Sequence, residues 1–442
     1  MAGVSEELTS ENWKQAWKTV FHFAFKKKII QSGLGLGLGL VGLCWGIAPG
    51  STAPLQDSPK ALVDEAWQFL NQYYIDPQFN EQDWQGLRTD LLSRSYSSPD
   101  QAYAVIQQTL ARLGDPYTRF LPPREYSQLM RQTQGEQVDV GLVLQEDGDI
   151  LRVAAIVPQS LATKANLKVG DEIVTINGRS TDRLTLERAQ TLMKGPAGSA
   201  VKLSVKRGNE KPFIVEIERK GKIDPTVQYQ TFSLAGTAVG YIRLSGFNST
   251  SSQDMAAAVQ ALKKSKVQGF ILDLRYNPGG LLDAGIDIAR QWLPSGVIVR
   301  IRQQQDQAQE VRANQTALTN LPLVILVNNN SASASEILAG ALQDQKRALV
   351  VGTHTFGKAR VQAVHEMSDG SALVVTVARY LTPSGRDIAQ QGIIPDVIVP
   401  ASPGMDQELR LNPQAIPSPK DPIVAKSLEL LATQIQTPLV VR

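Results

Sequence analysis

The 442-residue sequence predicts a multidomain α/β protein whose largest part is a layered α/β domain. Three observations lead to this fold class. Apolar strands alternate with helical segments over 220–400, which is typical of a layered α/β domain. Short strands separated by glycine turns fill 136–219 and predict a small β domain. Helical periodicity covers 54–135 and predicts a helical region ahead of the β domain.

Residues 1–53 form a separate N-terminal segment. Lys26, Lys27 and Lys28 precede a run from Ile29 to Ala48 that contains no charged residue. A basic flank before an uncharged apolar run is typical of a signal peptide or a membrane anchor, so we expect this run to direct export or anchoring. Cys44 is the single cysteine of the chain, which excludes an internal disulfide.

Two segments of the helical region carry apolar residues at helical spacing, Ala61 to Tyr74 and Gln101 to Leu113. Gly114-Asp115-Pro116 interrupts the second one, and we expect a turn there. In the β domain, Asn177-Gly178 predicts a tight hairpin turn. A short terminal helix is expected within the C-terminal extension, 401–442.

The stretch from Leu323 to Arg360 has the most informative pattern in the α/β domain. The apolar run Leu323 to Val327 predicts a buried strand, and helical spacing resumes near Ser333. A strand that turns sharply into a helix presents a serine beside unpaired N–H groups and the positive end of the helix dipole. Ser331, Ser333 and Ser335 are also good helix-capping residues, which is the alternative interpretation.

A second turn, Arg275 to Gly280, lies between the predicted strand Phe270 to Leu274 and a helix from Leu281 to Trp292. Its sequence is Arg-Tyr-Asn-Pro-Gly-Gly. Paired glycines allow the backbone to approach another group closely. A plain strand-to-helix connection would also contain turn residues of this kind.

Together these motifs resemble the Ser-Lys carboxyl-terminal processing peptidases, also called tail-specific proteases. The match consists of Ser333-Ala334-Ser335-Glu336 before an apolar helix, the Asn-Pro-Gly-Gly turn, and Thr355-Phe356-Gly357-Lys358. Ser333 and Lys358 are 25 residues apart (358 − 333), as in the family. Ala359 stands where the family often has glycine. The resemblance extends from about Ala61 to Pro400.

The resemblance implies that Ser333 is the nucleophile and Lys358 the general base. It gives Gln362 the role of orienting the lysine. It also implies that Glu336 supports the site, although a carboxylate in a first helical turn is favourable to the dipole in any case. An ammonium group cannot accept a proton, so Lys358 must be neutral to act, and burial would lower its pKa.

For the oxyanion of the tetrahedral intermediate, the resemblance implies two backbone N–H donors. One is Ala334, and the other is Gly279 or Gly280, between which the sequence does not decide. The implied fold of the core is crotonase/Clp-like.

Residues 136–219 resemble a PDZ domain, a module that adds the free C-terminus of another chain as an extra strand. The tail-binding loop would be Val140, Gly141, Leu142 and Val143. Asp139 replaces the small residue usual before this loop, and its charge would weaken the binding of a carboxylate. A purely structural β domain is the alternative.

Several other functions are less compatible with the sequence. Gly352 to Lys358 fits seven positions of a phosphate-binding P-loop, but Ala359 replaces the required Ser or Thr, and an alternating pattern rather than a helix follows. No HExxH motif or Cys cluster is present, so we expect no metal, and we expect no nucleotide or other cofactor. The net charge of +3 gives little reason to expect nucleic acid. His354 and His365 flank the lysine and stay open as alternative bases.

The expected function is an exported serine endopeptidase that forms an acyl-enzyme and cleaves proteins near apolar free C-termini. Some members of the family trim the precursor of a photosystem II reaction-centre protein in the thylakoid lumen. The stretch Asn80 to Trp84 is faintly similar to those members, which implies the same precursor as substrate. The N-terminal segment and the resemblance together imply the periplasm or thylakoid lumen as location. Two competing classes are a non-catalytic PDZ-type scaffold that binds C-termini and an acyl-transfer enzyme of crotonase-like fold.

Overall fold

The computed structural model describes residues 58–436 apart from 139, 149, 157–159, 183, 197, 220–224, 235, 305–307, 405, 407–408 and 410–414. The predicted export or anchor segment, 29–48, therefore lies outside the described residues. No helix in the described part of the chain is both long enough and apolar enough to cross a membrane. The chain divides into two compact units, and the first comprises the described residues 58–126, 303–304 and 361–378.

Helices account for most of residues 58–126 of the first unit, in agreement with the predicted helical region. Ser58, Asp83 and Ser98 each precede a helix and accept a hydrogen bond from an N–H of its first turn. The elements of this part of the chain are α1 (Pro59–Tyr73), α2 (Trp84–Ser93), α3 (Pro99–Ala111), β1 (Arg119–Leu121) and α4 (Pro123–Gln134).

A small antiparallel β domain follows within the second unit. Its main sheet has the order β3-β4-β5-β8-β9, with β6 paired to β5. Asn177 and Gly178 both have positive φ in the turn before β6, as the tight-turn prediction requires. The elements are β2 (Gln137–Val138), β3 (Leu142–Asp147), β4 (Ile150–Ile156), α5 (Leu161–Lys164), β5 (Glu172–Ile176), β6 (Arg179–Ser180), α6 (Leu186–Met193), β7 (Gly195–Pro196), β8 (Ala200–Lys206) and β9 (Phe213–Glu218).

The rest of the chain forms the layered α/β core, with strands and helices in alternation as predicted. The elements are β10 (Val227–Leu234), β11 (Thr237–Leu244), α7 (Ser251–Lys264), β12 (Gly269–Asp273), α8 (Leu282–Trp292), β13 (Val297–Arg302), β14 (Ala308–Arg312), β15 (Leu323–Val327), α9 (Ala334–Asp344), β16 (Leu349–Gly352), β17 (Arg360–Glu366), β18 (Ala372–Leu381), β19 (Val397–Ile398) and α10 (Pro422–Gln436).

The central sheet of the core has the order β10-β11-β12-β15-β16-β19. Every pair from β11 onward is parallel. The residues of β12 and β15 are fully buried, which explains why β15 is a continuous apolar run and why β12 is apolar up to its last residue, Asp273. Because β12, β15 and β16 are parallel neighbours, the turns that follow them emerge at the same edge of the sheet.

The strand β18 belongs to a second sheet. It pairs with β1 through residues 372–374 and with β13 through residues 379–381, both antiparallel. The sequence predicted only a turn around β1, and this was incomplete. Three residues carry too little periodicity to identify a strand, and the partner of β1 lies about 250 positions further along the chain.

The C-terminal helix α10 packs on the central sheet through one apolar face, and the helix predicted in the C-terminal extension is confirmed. Ile423, Val424, Leu428 and Leu431 are buried in the same cluster as residues of β12, β15 and β16. Burial of each such side chain contributes about 1.5–3 kcal/mol.

Candidate active site

Three turns meet at the carboxyl edge of the central sheet, and they contain most of the predicted site residues. The turn after β12 holds Gly279 and Gly280, the turn after β15 holds Ser333, and the segment after β16 holds Lys358. These residues are distant in sequence, and the parallel order of the three strands brings their turns to one edge.

Ser333 occupies the N-cap position of α9 with φ +57° and ψ −115°. A positive φ in a residue other than glycine costs of the order of 1–3 kcal/mol, so the surrounding structure must impose it. A strained residue between a strand and a helix can present its side chain outside the turn, as in the nucleophile elbow of α/β-hydrolases.

The two neighbouring serines have structural hydrogen bonds instead. Ser331 is fully buried, and its Oγ donates to the carbonyl of Leu274 at 2.8 Å. Ser335 is also fully buried, and its Oγ donates to the carbonyl of Asn277 at 3.0 Å. Ser333 is partly exposed, so of the three it alone has a side chain with solvent access.

The carboxylate of Glu336 joins the serine turn to the lysine turn. It is fully buried in the first turn of α9. Its Oε2 accepts hydrogen bonds from the N–H groups of Ser333 and Lys358, at 2.8 and 2.9 Å. Its Oε1 accepts from the N–H of Gly357 and from Oγ1 of Thr355, both at 2.6 Å. Four donors on one buried carboxylate fix the two turns relative to each other.

Tyr380, in β18, adds a second connection that the sequence analysis did not identify. Its side chain is buried, and its hydroxyl shares one hydrogen between the carbonyl oxygens of Ser333, at 3.2 Å, and Lys358. The same hydroxyl lies 3.5 Å from Oε2 of Glu336. Because Tyr380 is 22 residues beyond Lys358 and belongs to another sheet, no local pattern could have indicated this contact.

The Asn-Pro-Gly-Gly turn lies directly against the serine turn. A Cβ added to Gly279 would be 2.8 Å from Cβ of Ser333 and 3.0 Å from the nitrogen of Ala334, so only glycine fits here. The N–H of Gly279 donates to Oδ1 of Asn277 at 2.9 Å. The buried Asn277 also accepts the N–H of Ala332 through its own carbonyl, which holds the two turns together.

Lys358 lies just before β17, and its side chain is partly buried. Gln362 lies within β17, in the part of that strand that belongs to the first unit. Its Nε2 is 3.5 Å from Oγ1 of Thr376. The predicted role of Gln362 toward the lysine stays a prediction.

Each of the two alternative histidines has a local partner. His354 is exposed, with Nδ1 3.0 Å from the carbonyl oxygen of Thr355. In the first unit, His365 stacks on Phe69 with ring centres 4.1 Å apart and has Nε2 3.4 Å from Oε1 of Glu65. The contacts of His365 are thus with α1.

The segment from Gly352 to Lys358 does not begin a helix, in agreement with the prediction from its sequence. It connects β16 to β17 as an irregular segment. Within the described residues, no three His, Cys, Asp or Glu side chains converge in a way that could hold a metal ion.

The predicted tail-binding loop leads into β3, which is the edge strand of the β-domain sheet. Val140 is buried and its carbonyl accepts the N–H of Ala162 at 2.8 Å. Gly141 has φ +79°, and Leu142 and Val143 begin β3. Helix α6 packs beside β3, with Ala189 and Met193 in the same core cluster as Leu142. Asp139 lies outside the described residues.

The stretch Asn80 to Trp84 has a structural environment in the first unit. Asp83 caps α2, and the indole of Trp84 stacks on Phe79 and on Trp67, with ring centres 4.4 and 5.9 Å apart. This aromatic core accounts for the residues without reference to a substrate.

Comparison with known proteins follows the same division of the chain. The family model for Peptidase family S41 matches residues 238–399, and a PDZ domain model matches 152–207. The carboxyl-terminal-processing protease of Synechocystis sp. is 39% identical over 401 residues, which cover 88% of this chain and 92% of that protein. Carboxyl-terminal-processing peptidase 2, chloroplastic, of Arabidopsis thaliana is 39% identical over 361 residues, covering 78% of this chain and 70% of that protein.

A solved structure is also similar over most of the chain. The photosystem II D1 C-terminal processing protease aligns with a TM-score of 0.58 and 37% identity, covering 78% of this chain and 93% of that one. The layered α/β fold with an inserted PDZ domain, predicted from the sequence, is therefore confirmed.

Proposed function

The chain belongs to peptidase family S41 as a carboxyl-terminal-processing protease, and we propose that Ser333 is its nucleophile and Lys358 its general base. It is a serine peptidase whose substrates are proteins. The main support for the proposed pair is that the carboxylate of Glu336 accepts hydrogen bonds from the backbone N–H groups of both Ser333 and Lys358. The burial of Ser331 and Ser335 supports the choice of Ser333 among the three serines.

In the first step, the neutral amine of Lys358 takes the proton from Oγ of Ser333. The oxygen attacks the carbonyl carbon of the scissile peptide bond and forms a tetrahedral intermediate. The carbon–nitrogen bond then breaks, the proton passes from the lysine to the leaving amine, and the C-terminal fragment departs. Water activated by the same lysine hydrolyses the acyl-enzyme and regenerates the serine.

The oxyanion of the intermediate needs backbone donors that are not committed elsewhere. The N–H of Ala334, at the start of α9, lies beside the Asn-Pro-Gly-Gly turn. The N–H of Gly279 donates to the side chain of Asn277. We therefore assign the second donor to Gly280, a choice that the sequence left open.

The edge position of β3 supports the capture of a substrate tail by the PDZ domain. A free C-terminal segment would pair with β3 between that strand and α6, with its carboxylate at Val140 to Val143. The tail is expected to end in an apolar side chain, as the sequence predicts for substrates of this module.

For the substrate, we propose the photosystem II reaction-centre precursor, processed in the thylakoid lumen or a periplasm. The names of the similar proteins support this choice, since one is a D1 C-terminal processing protease and others are chloroplastic or cyanobacterial. Export of the chain by residues 29–48 is part of the same proposal.

The test is to incubate the full chain with tagged reporter proteins that differ only in their last residues, one with the D1 precursor tail, and to sequence the products. Cleavage near the C-terminus of apolar-tailed reporters, and none by Ser333→Ala, is the expected result. Equal cleavage of all tails would contradict tail recognition. Cleavage of other apolar tails but not of the D1 tail would contradict the proposed substrate and leave the proposed tail recognition intact.

A further inference from the structure

A cluster of buried charges lies directly behind the Asn-Pro-Gly-Gly turn, and the proposed mechanism does not use it. Arg243, Asp273, Arg275 and Asp421 are all buried, with at most 2% of each residue exposed. Asp273 pairs with both arginines, at 3.0 Å from Nη1 of Arg243 and 2.7 Å from Nη2 of Arg275. Asp421 contacts Nη1 of Arg275 at 2.7 Å, and Tyr241 donates its hydroxyl to Asp273 at 2.6 Å.

The four charges balance, and their mutual attraction keeps them ionised. Burial alone would raise the pKa of Asp273, but Arg275, Arg243 and the hydrogen bonds from Arg275 and Tyr241 lower it to about 2. Buried ion pairs of this kind seldom stabilise a fold more than apolar residues would. The fixed geometry they impose is the better reason for their presence.

Asp421 differs from the other three charges because it belongs to the C-terminal extension. Its Oδ1 accepts the N–H groups of Ile423 and Val424, at 2.8 and 3.2 Å, and so caps helix α10. Its Oδ2 binds Arg275. One carboxylate thus joins the start of α10 to Arg275, which lies two residues before the Asn-Pro-Gly-Gly turn.

Arg275 in turn fixes the backbone that leads to the glycines. Its carbonyl accepts a hydrogen bond from Nη2 of Arg243 at 2.9 Å. The next N–H, of Tyr276, donates to Oδ1 of Asn328 in the serine turn at 3.0 Å. Three residues further on, the backbone of Gly279 lies against Ser333.

We infer that Asp421 is a positioning residue: through Arg275 it holds the Asn-Pro-Gly-Gly turn at the distance from Ser333 that the oxyanion donor requires. This rests on the proposed function, because it needs Ser333 and the turn to act on one carbonyl group. The carboxylate that caps α10 then acts on the turn, while the apolar face of the helix, which includes Leu428, covers the sheet.

Asp421→Asn separates the two roles of this carboxylate. Asparagine caps helices as well as aspartate does, so α10 keeps its cap. With the amide oxygen on the helix, the amide nitrogen faces Arg275, and two donors oppose each other. Because small misplacements of reacting groups are costly, we expect kcat to fall by about tenfold or more, with KM within about twofold. The rate of covalent labelling of Ser333 by a fluorophosphonate should fall by the same factor.

Leu428→Ala is the matched control, because it weakens the packing of the same helix without touching Arg275. Leu428 is 3% exposed in the cluster beneath α10. Both variants are assayed at a temperature where circular dichroism shows them folded. Leu428→Ala should lower the unfolding midpoint and leave kcat of the folded enzyme near the wild-type value. An equal loss of kcat in the control would overturn the inference, since helix docking in general would then be the cause.

Asp421→Glu gives a second test if the asparagine variant does not fold. It keeps the charge and displaces it by one methylene group, so a smaller loss of kcat with an unchanged KM is expected. If a folded Asp421 variant has the same kcat as the active wild-type enzyme, the positioning role of Asp421 is refuted and the proposed function is not. Absence of cleavage and of labelling at Ser333 in the wild-type chain would instead refute the proposed function.

Discussion

The turn that carries Ser333 and the loop that leads into β3 are both proposed to contact substrate, yet their surroundings constrain them differently. Around Ser333, the backbone is bound by buried groups of its own helix, of the Asn-Pro-Gly-Gly turn and of β18, namely Glu336, Asn277 and Tyr380. The start of β3 pairs with β4, Val140 accepts a hydrogen bond from α5, and β3 is the edge strand of its sheet.

The difference follows from what each region has to do. Transition-state stabilisation requires the donors and the nucleophile to be in position before the substrate arrives, because reorganisation of the site during the reaction would raise the activation free energy. Capture of a tail by strand addition requires hydrogen-bonding groups that no other strand of the domain occupies.

Ser333→Ala should reduce kcat by roughly 10⁶-fold, the loss typical of removing a serine nucleophile, and should leave the fold intact. Ser335→Ala is the matched control. It removes a buried hydrogen bond and should cost about 1–3 kcal/mol of unfolding free energy, with labelling by serine-directed reagents retained. Mass spectrometry of the labelled peptide decides between the serines. Labelling of Ser333→Ala at a neighbouring serine would refute the assignment.

Lys358→Ala should remove the chemical step in single-turnover assays. Lys358→Arg should be equally inactive, because a guanidinium group stays charged at every usable pH and cannot act as a base. In the wild type, activity should rise with pH as the lysine loses its proton. His354→Gln and His365→Gln should keep most of the activity with a similar pH profile. A histidine variant that is inactive, or an active arginine variant, would require a histidine-based mechanism.

Glu336→Gln tests whether the buried carboxylate aligns the serine and lysine turns. The amide group offers one oxygen to four donors and places its own N–H₂ against others, so the turns should separate. We expect kcat to fall by about 10²-fold, the effect of displacing reacting groups by roughly 1 Å. Glu65→Gln is the control, since Glu65 also accepts a backbone N–H and a hydroxyl, from Ser368, but in the first unit. Equal kinetics for the two variants would contradict the role of Glu336.

Tyr380→Phe removes one hydroxyl and keeps the buried ring. Loss of the bonds to the carbonyls of Ser333 and Lys358 should lower kcat by about three- to tenfold, near the 1 kcal/mol of a single hydrogen bond. Tyr96→Phe removes a comparable bond, from the Tyr96 hydroxyl to the carbonyl of Leu91 at 2.8 Å, and should leave kcat unchanged. Single-turnover rates measured at equal folded fraction distinguish the two. No difference between them would show that Tyr380 serves stability alone.

Recognition at β3 should respond more weakly. Gly141→Ala strains a residue with φ +79° in the proposed carboxylate loop and should raise KM for a free-tailed substrate several-fold, with kcat unchanged. Gly178→Ala imposes the same strain at φ +78° in a hairpin with open space around it, and should not change KM. Amidation of the substrate tail should raise KM only for enzymes with an intact loop. If amidated and free tails are cleaved equally by the wild type, the PDZ loop does not read the carboxylate.

Local patterns predicted much of this structure because the information they need is local. The strand at Leu323–Val327, the helix that follows Ser333, and the Asn177–Gly178 turn all match the sequence prediction closely. The candidate pair Ser333 and Lys358 was predicted because their spacing resembles that of the family. The strand at Arg119–Leu121 was missed, because its identity depends on a distant partner.

By itself, the sequence determined most of the order of strands and helices, the two glycine-rich turns and the serine and lysine candidates, since periodicity and turn residues act over short distances. The tertiary structure decided which of three similar serines is accessible, which glycine N–H is already bonded to Asn277, and that Tyr380 contacts the Ser333 carbonyl while Asp421 binds Arg275. These facts depend on burial and on contacts between residues far apart in the chain. Such contacts arise only when parallel strands bring separate turns to one edge of the sheet.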